Sequence, residues 1–320
     1  MKKILKNLID LFYSIFIIPA AYILLLFRKL GASRLPITTS RLKKIGIFPI
    51  LNHYYEPLFD DTLLAKSLDS DRCLPGIDLN IPSQLDILQH LTFSNELSSL
   101  KLEQNVKAID SFNIKNGSFE SGDADFLYQI IRYTKPSKVI EIGSGSSTKI
   151  ARLALKQNKV ETGATFEHIC VEPYEQPWLE RLEGVTVIRE LIENTKFNWA
   201  NELGAGDLLF VDSSHIIRPQ GDVLKEYLEI FPKLKPGVFV HIHDIFTPKD
   251  YPKSWIVEEV RFWNEQYLLE ALLTNTNRYE IIAALNYLKH NHFHKLKQVC
   301  PYLTKEDEPG SFYFRVKTED

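Results

Sequence analysis

The sequence predicts an α/β fold: a doubly wound, mostly parallel seven-stranded sheet with helices on both faces, preceded by an N-terminal membrane helix. Three observations predict it. From about residue 121, short apolar runs alternate with amphipathic runs. A glycine-rich turn follows the first apolar run, and a long uncharged run lies near the start of the chain. Because parallel strands need a crossover helix between them, the alternation indicates a sheet covered on both faces.

Composition excludes several classes of protein. The chain has 320 residues, 44% of them hydrophobic, which suffices for one large domain or two small ones and excludes a disordered chain. The net charge of −3 is divided unevenly, since residues 1–44 hold nine Lys or Arg and a single acid. The acidic remainder argues against nucleic acid as a partner. Three widely spaced cysteines predict neither a disulfide framework nor a cysteine zinc site.

The uncharged run extends from Leu11 to Phe27 and is 17 residues long. As a helix it would measure about 26 Å, slightly less than the hydrocarbon core of a bilayer. Flanking lysines and arginines can extend the span, whereas Pro19 also suits a helix that dips into one leaflet. A buried core helix and a cleaved signal peptide are the alternatives. Because more basic residues follow the run than precede it, we expect a membrane-attached protein with its main domain in the cytoplasm.

Changes of pattern divide the chain into three parts. Residues 1–44 are the predicted anchor with basic flanks, residues 45–120 an irregular and partly helical lead-in that can serve as a lid, and residues 121–320 the α/β domain. The predicted strands are residues 138–142, 168–173, 185–190, 207–212 and 238–244, followed by YEIIAAL and SFYFRV. The predicted helices are ADFLYQIIRYT, a run to about residue 156, EQPWLERL, GDVLKEYLEIFPKL and a segment from about Trp255 to Leu272.

The turn between the first strand and its helix reads V-I-E-I-G-S-G-S-S-T. Gly143 and Gly145 let the backbone turn tightly and approach a ligand, although an ordinary strand-to-helix loop also explains them. Two acids favour a ligand. Glu141 lies two residues before the first glycine, and Glu172 ends the second strand, where a carboxylate can accept hydrogen bonds from both ribose hydroxyls. This pair of acids predicts a site for a nucleoside joined to an amino acid.

These segments resemble a known family. EIGSGSS followed by VEP is similar to the first two motifs of class I S-adenosylmethionine-dependent methyltransferases, and DLLFVDSSH with LKPGVFVHIHDIF is similar to their fourth and fifth strands. The wider set EPLF, LPGIDLN, NGSF, GDADFLY, VEPY, HDIF and FWNEQYLL resembles a bacterial group of this family, the methyltransferase-24-like proteins. The resemblance covers roughly residues 118–317 and implies a Rossmann-like fold.

The resemblance also implies a cofactor, S-adenosyl-L-methionine, and the residues that bind it. Glu141 would lie near the methionine amino group, the two glycines along the cofactor, and Glu172 on the ribose. Ser147 stands where the family often has a third glycine. The predicted cofactor-binding residues are Glu141, Gly143, Ser144, Gly145, Ser147 and Glu172.

A polar cluster is predicted opposite the cofactor. Asp212 ends the fourth strand and Asp244 follows the fifth, so both should face the cleft beyond the carboxyl ends of the strands. The predicted catalytic residues are His215, His243 and Asp212, with a histidine as general base. Asp212, Asp244 and His243 are also candidate ligands of a divalent metal, Mg²⁺ by the resemblance, although imidazole shifts the choice toward softer ions. His241, on the same strand, is as readily explained by a hydrogen-bonded position inside the sheet.

A second histidine-rich tract, KHNHFHKLK at residues 289–297, carries three lysines that would repel a cation. It predicts a solvated helix surface rather than a metal site.

The sequence therefore predicts a methyltransferase that acts on a hydroxyl of a small-molecule, glycan or lipid-linked acceptor at the membrane. Two other functions stay open: a metal-dependent hydroxylase or oxygenase on the same fold, and a non-catalytic scaffold that binds the cofactor. A homodimer is a further expectation, since dimers are common among the proteins that the chain resembles.

Overall fold

The computed structural model of the chain describes residues 2–104, 108, 110–174 and 176–318. It divides into two compact units, Met1–Lys66 and Ser67–Asp320. The boundaries predicted from the sequence at residues 44 and 120 stay predictions.

The first unit begins with a long apolar helix. Helix α1, Lys2–Leu30, has 29 residues and continues through Pro19, so it measures about 43 Å. Within the described part of the chain it is the one helix apolar and long enough to cross a membrane, with a mean hydropathy of 2.1 over its most apolar window. Most of the large side chains of the run are exposed, for example Ile17 and Ile23, whereas Phe27 at its end is buried. This exposure differs from the burial expected of a soluble protein's core helix.

A short basic helix follows. Helix α2, Pro36–Ile45, begins at a proline, whose fixed φ suits the first helical position, and ends at Gly46, which has a left-handed φ of 88°. Lys43 and Lys44 lie in its last turn, where positive charge interacts favourably with the free carbonyl groups.

The second unit is built on one seven-stranded sheet, as the sequence predicts. Its strands are β1 Lys138–Ile142, β2 Glu167–Val171, β3 Thr186–Ile188, β4 Leu208–Val211, β5 Phe239–Ile242, β6 Tyr279–Ala284 and β7 Phe312–Val316. Their order in the sheet is β3-β2-β1-β4-β5-β7-β6. Strands β1 to β5 pair in parallel, and β7 is antiparallel to both β5 and β6. The sheet is therefore mostly parallel, with an antiparallel edge.

Helices cover this sheet. They are α3 Ile81–His90, α4 Ser94–Ser99, α5 Asp123–Thr134, α6 Ser146–Thr162, α7 Trp199–Glu202, α8 Asp222–Lys225, α9 Glu265–Leu273 and α10 Leu285–Val299. Helix α8 continues as a π-helical turn, Glu226–Ile230, and a 3₁₀ turn, Phe231–Lys233. The histidine-rich tract lies on α10, as predicted.

Two helical predictions were too long. Within EQPWLERL only Leu179–Arg181 forms a 3₁₀ turn; Gln176 has a left-handed φ of 57°, and Glu175 lies outside the described residues. The segment predicted as one helix from Trp255 to Leu272 is interrupted, because Val260 also has a left-handed φ, of 55°, which ends a right-handed helix. A π-helical turn precedes this break and α9 follows it.

Apolar side chains pack on both faces of the sheet. Val139 of β1 belongs to the cluster that includes α5 and α6, whereas Ile140 and Ile142 belong to the cluster on the opposite face, as the two-residue period of a strand requires. Leu88 of α3 and Leu97 of α4 are buried in the first cluster. These two helices of the lead-in are therefore part of the core.

One buried acid joins α5 to the segment after α10. Asp125 is fully buried, and its two carboxylate oxygens accept hydrogen bonds from the backbone N–H groups of Gly122 and Tyr302, both at 2.9 Å. Burial raises the pKa of Asp125 from 3.8 to about 6, although these two N–H groups oppose the rise. The folded state therefore holds a proton on Asp125 that the unfolded chain releases at lower pH.

This pKa predicts a pH-dependent stability. Because the pKa is higher in the folded state, the stabilising contribution is complete below about pH 4 and is lost as the pH rises to about 6, by about 3 kcal/mol in total. Asp125→Asn removes the titration. Chemical unfolding of both proteins in detergent from pH 4 to 7 should show a fall in wild-type stability, relative to the variant, across this window. The exposed-site variant Glu103→Gln should follow the wild type; parallel curves for wild type and Asp125→Asn would refute the assignment.

Candidate functional site

A cavity of about 480 Å³ lies at the carboxyl ends of the parallel strands. We call it the first cavity. Five of the predicted cofactor-binding residues line it together with the predicted catalytic acid: Gly143, Ser144, Gly145, Ser147, Glu172 and Asp212. This position, at the carboxyl edge where the order of the strands reverses between β1 and β4, is where α/β sheets bind ligands.

The glycine turn is set by a close approach to β4. Gly143 has a left-handed φ of 78°, and a Cβ atom added to it would lie 1.9 Å from the carbonyl oxygen of Asp212. The backbone N–H of Gly143 donates to Val171 at 3.0 Å, and that of Asp212 donates to Ile142 at 2.8 Å. Only glycine fits this position, and the contact brings the glycine turn and the loop after β4 together.

Glu172 directly follows β2, and hydrogen bonds from backbone N–H groups hold its carboxylate in place. Its Oε2 accepts a hydrogen bond from Ser144 N at 3.2 Å, and its Oε1 accepts one from Tyr174 N at 3.0 Å. Each carboxylate oxygen has two lone pairs, so both can accept further hydrogen bonds from ligand hydroxyl groups.

Glu141 lies beneath the turn rather than in the cavity. It is 1% exposed, and its Oε2 accepts hydrogen bonds from Ser147 Oγ at 3.1 Å and Thr148 Oγ1 at 2.8 Å. Its other oxygen contacts His168 Nε2. Among the described residues that line the first cavity Glu141 is absent. Its predicted contact with the methionine amino group stays a prediction, while the geometry shows that it fixes the start of α6 to β1 and β2.

The predicted catalytic residues lie together at the ends of β4 and β5. The Nε2 atom of His215 is 3.2 Å from Oδ1 of Asp212 and 3.5 Å from Oδ2 of Asp244. The Nδ1 atom of His243 is 3.4 Å from Oδ1 of Asp212 and 3.5 Å from Oδ1 of Asp244. Ligand atoms of Asp212, His215 and Asp244 all lie within 4.8 Å of one another, a spacing that suits a metal ion. We call these four side chains the polar cluster.

Opposite charges control the protonation of this cluster. Burial lowers the pKa of His215, but Asp212 and Glu265 outweigh it and raise the pKa to about 10. Burial likewise lowers the pKa of His243, but Asp244 and Asp212 hold it well above its usual value. Burial raises the pKa of Asp212, yet the two histidines bring it well below its usual range. The pKa of Asp244 is raised, mainly by burial.

Two acids that support the cluster were not predicted from the sequence. Glu265, fully buried at the start of α9, accepts a hydrogen bond from Nδ1 of His215 at 2.8 Å and another from the hydroxyl of Tyr227 at 3.1 Å. Asp123, at the start of α5, has an oxygen 3.7 Å from Nε2 of His243. Each acid is the first residue of a helix, where acids are common because they interact favourably with the free N–H groups. Nothing in the sequence therefore distinguishes these two acids from ordinary helix starts.

His241 is not part of the site. It is fully buried in β5, its Nε2 bonds with Ser311 Oγ at 2.7 Å, and its ring stacks on Tyr313. Burial lowers its pKa well below the usual value, so the ring is neutral. This is the hydrogen-bonded position inside the sheet that the sequence left open.

A second cavity of about 280 Å³ adjoins the other side of the polar cluster. His243 and Asp244 line it, and Trp255 forms part of its wall. The described lining residues include six acids and no lysine or arginine: Glu120, Asp123, Asp244, Glu306, Asp307 and Glu308. Ser118 lines both cavities. The second cavity is therefore acidic and close to the first.

A mostly parallel sheet with a glycine turn after β1 and an acid after β2 is the arrangement with which many α/β proteins bind nucleoside cofactors. A family model described as a methyltransferase domain matches residues 140–245. An uncharacterized protein of Archaeoglobus fulgidus is 32% identical over 162 residues, which cover 47% of this chain and 70% of the relative. The chain belongs to the class I S-adenosylmethionine-dependent methyltransferases.

Solved structures of similar fold include a methyltransferase from Podospora anserina bound to S-adenosylhomocysteine. It is 18% identical, with 74% of this chain and 89% of that chain covered and a TM-score of 0.36. An O-methyltransferase from Bacillus cereus in complex with the same compound is 13% identical, with 73% and 91% covered and a TM-score of 0.36.

Alanine substitutions at the two glycines of the turn form a matched pair of variants. Gly143→Ala should destabilise the fold by more than about 4 kcal/mol, because the methyl group meets backbone and the φ is left-handed. Gly145→Ala should be tolerated, since its Cβ would meet only the Gln176 side chain, at 4.0 Å. Thermal unfolding of both variants in detergent tests this. Equal unfolding temperatures would show that the approach to Asp212 is not a constraint.

Proposed function

We propose that the protein is an O-methyltransferase that transfers the methyl group of S-adenosylmethionine to a hydroxyl of an acceptor at a membrane. The observation that carries the proposal is the position of Asp212, which lines the first cavity and belongs to the polar cluster. A cofactor in the first cavity and an acceptor in the second would meet at this cluster.

The first cavity has polar groups suited to both ends of the nucleoside. Glu172 presents two carboxylate oxygens for the ribose hydroxyls. Glu193 lines the same cavity, and its Oε2 is buried without a hydrogen-bond partner, so it can accept a hydrogen bond from the adenine amino group. Ser144 Oγ is buried and also without such a partner. These unsatisfied atoms support a bound ligand, because buried polar atoms normally have partners.

Methyl transfer from a sulfonium ion is a direct displacement, so the protein must align the two reactants and accept one proton. The carboxylates of the polar cluster lie where an acceptor hydroxyl would lose that proton. Because the pKa values of His215 and His243 are raised, both imidazoles carry a proton near neutral pH and would orient the carboxylates rather than take the proton themselves. A divalent ion, when bound by these residues, would lower the pKa of the hydroxyl. Glu265 and Asp123 orient the two imidazoles through their other nitrogen atoms.

The second cavity indicates the chemistry of the acceptor. Its carboxylates repel phosphate and other anions, and Trp255 offers an apolar face of the kind that packs against sugar rings. We therefore propose that the part of the acceptor next to the methylated hydroxyl is a neutral or amine-bearing small molecule or glycan. In a lipid-linked acceptor, the phosphates would lie outside this cavity.

Helix α1 supports attachment to a membrane. Its length, hydropathy and exposed side chains suit a helix surrounded by lipid, and the basic residues that follow suit the cytoplasmic face. We propose that the methyltransferase unit is cytoplasmic and that α1 keeps it at the bilayer.

The cofactor site predicts the effect of Glu172→Ala. Loss of hydrogen bonds to the ribose should weaken S-adenosylhomocysteine binding at least tenfold, about 1.4 kcal/mol, measured by calorimetric titration of the full chain in detergent. Glu190→Ala, at an exposed acid outside the cavity, should bind like the wild type. Absence of binding to the folded wild type would contradict a methyltransferase and favour the hydroxylase alternative.

The anchor predicts the effect of charges within α1. Ile17→Asp with Ile23→Asp should move the protein from the membrane fraction to the soluble fraction, because each charge costs about 2.5–3.5 kcal/mol inside a bilayer. Fractionation of cells after a high-salt wash measures this. Val160→Asp, at an exposed site on α6, is the control and should leave the wild-type distribution unchanged. Removal of α1 by cleavage in the wild type would identify a signal peptide instead.

A further inference from the structure

We infer that the segment after α1 is a binding surface for anionic phospholipids, with the exposed face of α2 lying against their phosphate groups. This inference rests on the proposed attachment of α1 to a membrane and goes beyond it, because it names the class of lipid and the residues that recognise it. The cations concerned are all exposed, and we call them the basic segment: Lys29, Arg34, Arg41, Lys43 and Lys44.

The chain after α2 folds back onto the last turn of α1. The buried ring of Phe27 meets that of Phe48, with 6.2 Å between the centroids. Arg28 donates a hydrogen bond to the carbonyl oxygen of Pro49 at 3.1 Å and forms a salt bridge with Glu56. Because the uncharged run of α1 ends at this turn, a membrane-embedded α1 would hold α2 at the level of the lipid headgroups.

Helix α2 presents a mixed basic and apolar face to solvent. Its inner side includes the partly buried Thr39, whose hydroxyl donates to the carbonyl oxygen of Ala32 at 2.7 Å. The outer side carries four exposed side chains at helical spacing: Ile37, Arg41, Lys44 and Ile45. The two isoleucines are 70% and 69% exposed. Apolar side chains between cations are typical of a helix that lies in the plane of a membrane interface.

The basic segment has no acidic neighbour to neutralise it. Between Asp10 and Glu56 the sequence contains no acid, and Glu56 is paired with Arg28. Among the residues that the structure describes, none of the five cations forms a salt bridge with a carboxylate. Residues 45–320, in contrast, hold 29 Lys or Arg against 40 acids. Attraction to an anionic surface therefore has its source in this segment rather than in the rest of the chain.

Exposed aromatic side chains lie in the same unit of the chain. Tyr54 and Tyr55 are 84% and 80% exposed, and their ring centroids lie 4.2 Å apart. Tyrosine is enriched at the interface between a bilayer and water, where its ring and its hydroxyl meet different surroundings. A soluble anion or a nucleic acid backbone would satisfy the cations but leave the isoleucines and tyrosines in water. The combination therefore favours a lipid surface.

The test measures amide hydrogen exchange of residues 36–48 in the full chain, reconstituted in lipid nanodiscs. The discs contain phosphatidylcholine alone or with about one third phosphatidylglycerol. We expect exchange to be at least about tenfold slower in the anionic discs, because lipid contact opposes local opening of α2. High salt should remove the difference, since it screens charges at the surface. Equal exchange in the two lipids would overturn the inference.

Variants assign the lipid dependence to α2. Arg41→Gln with Lys43→Gln and Lys44→Gln should exchange at the same rate in both lipids. Gln has a helix propensity close to that of Lys and Arg, and each variant is compared with itself in the two lipids, so a general loss of stability does not imitate the result.

The matched control removes three positive charges elsewhere. Lys115→Gln with Lys233→Gln and Lys235→Gln changes three exposed lysines of the second unit and should keep the wild-type lipid dependence. Lipid dependence that persists in the α2 variant and disappears in this control would place the binding surface outside α2 and refute the inference.

Other outcomes separate this inference from the proposed function. Slower exchange of α2 on addition of RNA to neutral discs, without an effect of phosphatidylglycerol, would overturn the inference in favour of nucleic acid. Failure of the chain to enter discs of either lipid would remove the attachment by α1 and this inference with it. Entry with equal exchange would remove this inference alone. Titration with S-adenosylhomocysteine tests the cofactor site independently of both.

Discussion

The approach of Gly143 to the carbonyl group of Asp212 is the constraint on which the site depends. The glycine turn after β1 meets the loop that begins the polar cluster at this contact, and a Cβ atom on Gly143 would clash with the backbone of Asp212. Glu141 supports the same turn from below through the hydroxyls of Ser147 and Thr148. The relative position of the two halves of the site is thus fixed by backbone packing and by buried hydrogen bonds, before any ligand binds.

The polar cluster concentrates charge in a partly closed space. His215 and Asp244 both have left-handed φ values, of 59° and 60°, which non-glycine residues adopt at a cost and which often occur at functional sites. The fully buried Glu265 adds a further charge that only a fixed partner can compensate. Strain at these two residues and a buried charge beside them both lower the stability of the fold, and the cluster keeps a fixed arrangement of polar groups in exchange.

The sequence predicts the sheet well because its parallel strands are buried on both faces and appear as continuous apolar runs. Because each apolar run has a clear end, the sequence also predicts the glycine turn after β1 and the acids that follow β2 and β4. It does not identify Glu265, which reaches His215 across 50 residues and resembles an ordinary helix start. The side on which Glu141 lies follows from strand alternation, since Ile142 faces the cavity and its neighbour must face away.

The place of β7 has a consequence for biosynthesis. This strand lies between β5 and β6 in the sheet, yet it leaves the ribosome after both of them. Until it inserts, β6 has no neighbouring strand among the described residues, and the hydrogen-bonding edge of β5 that β7 covers is open. The loop at residues 306–310, which walls the second cavity, arrives with β7. The nascent chain can therefore assemble its glycine turn during translation, while the wall of the second cavity is completed last.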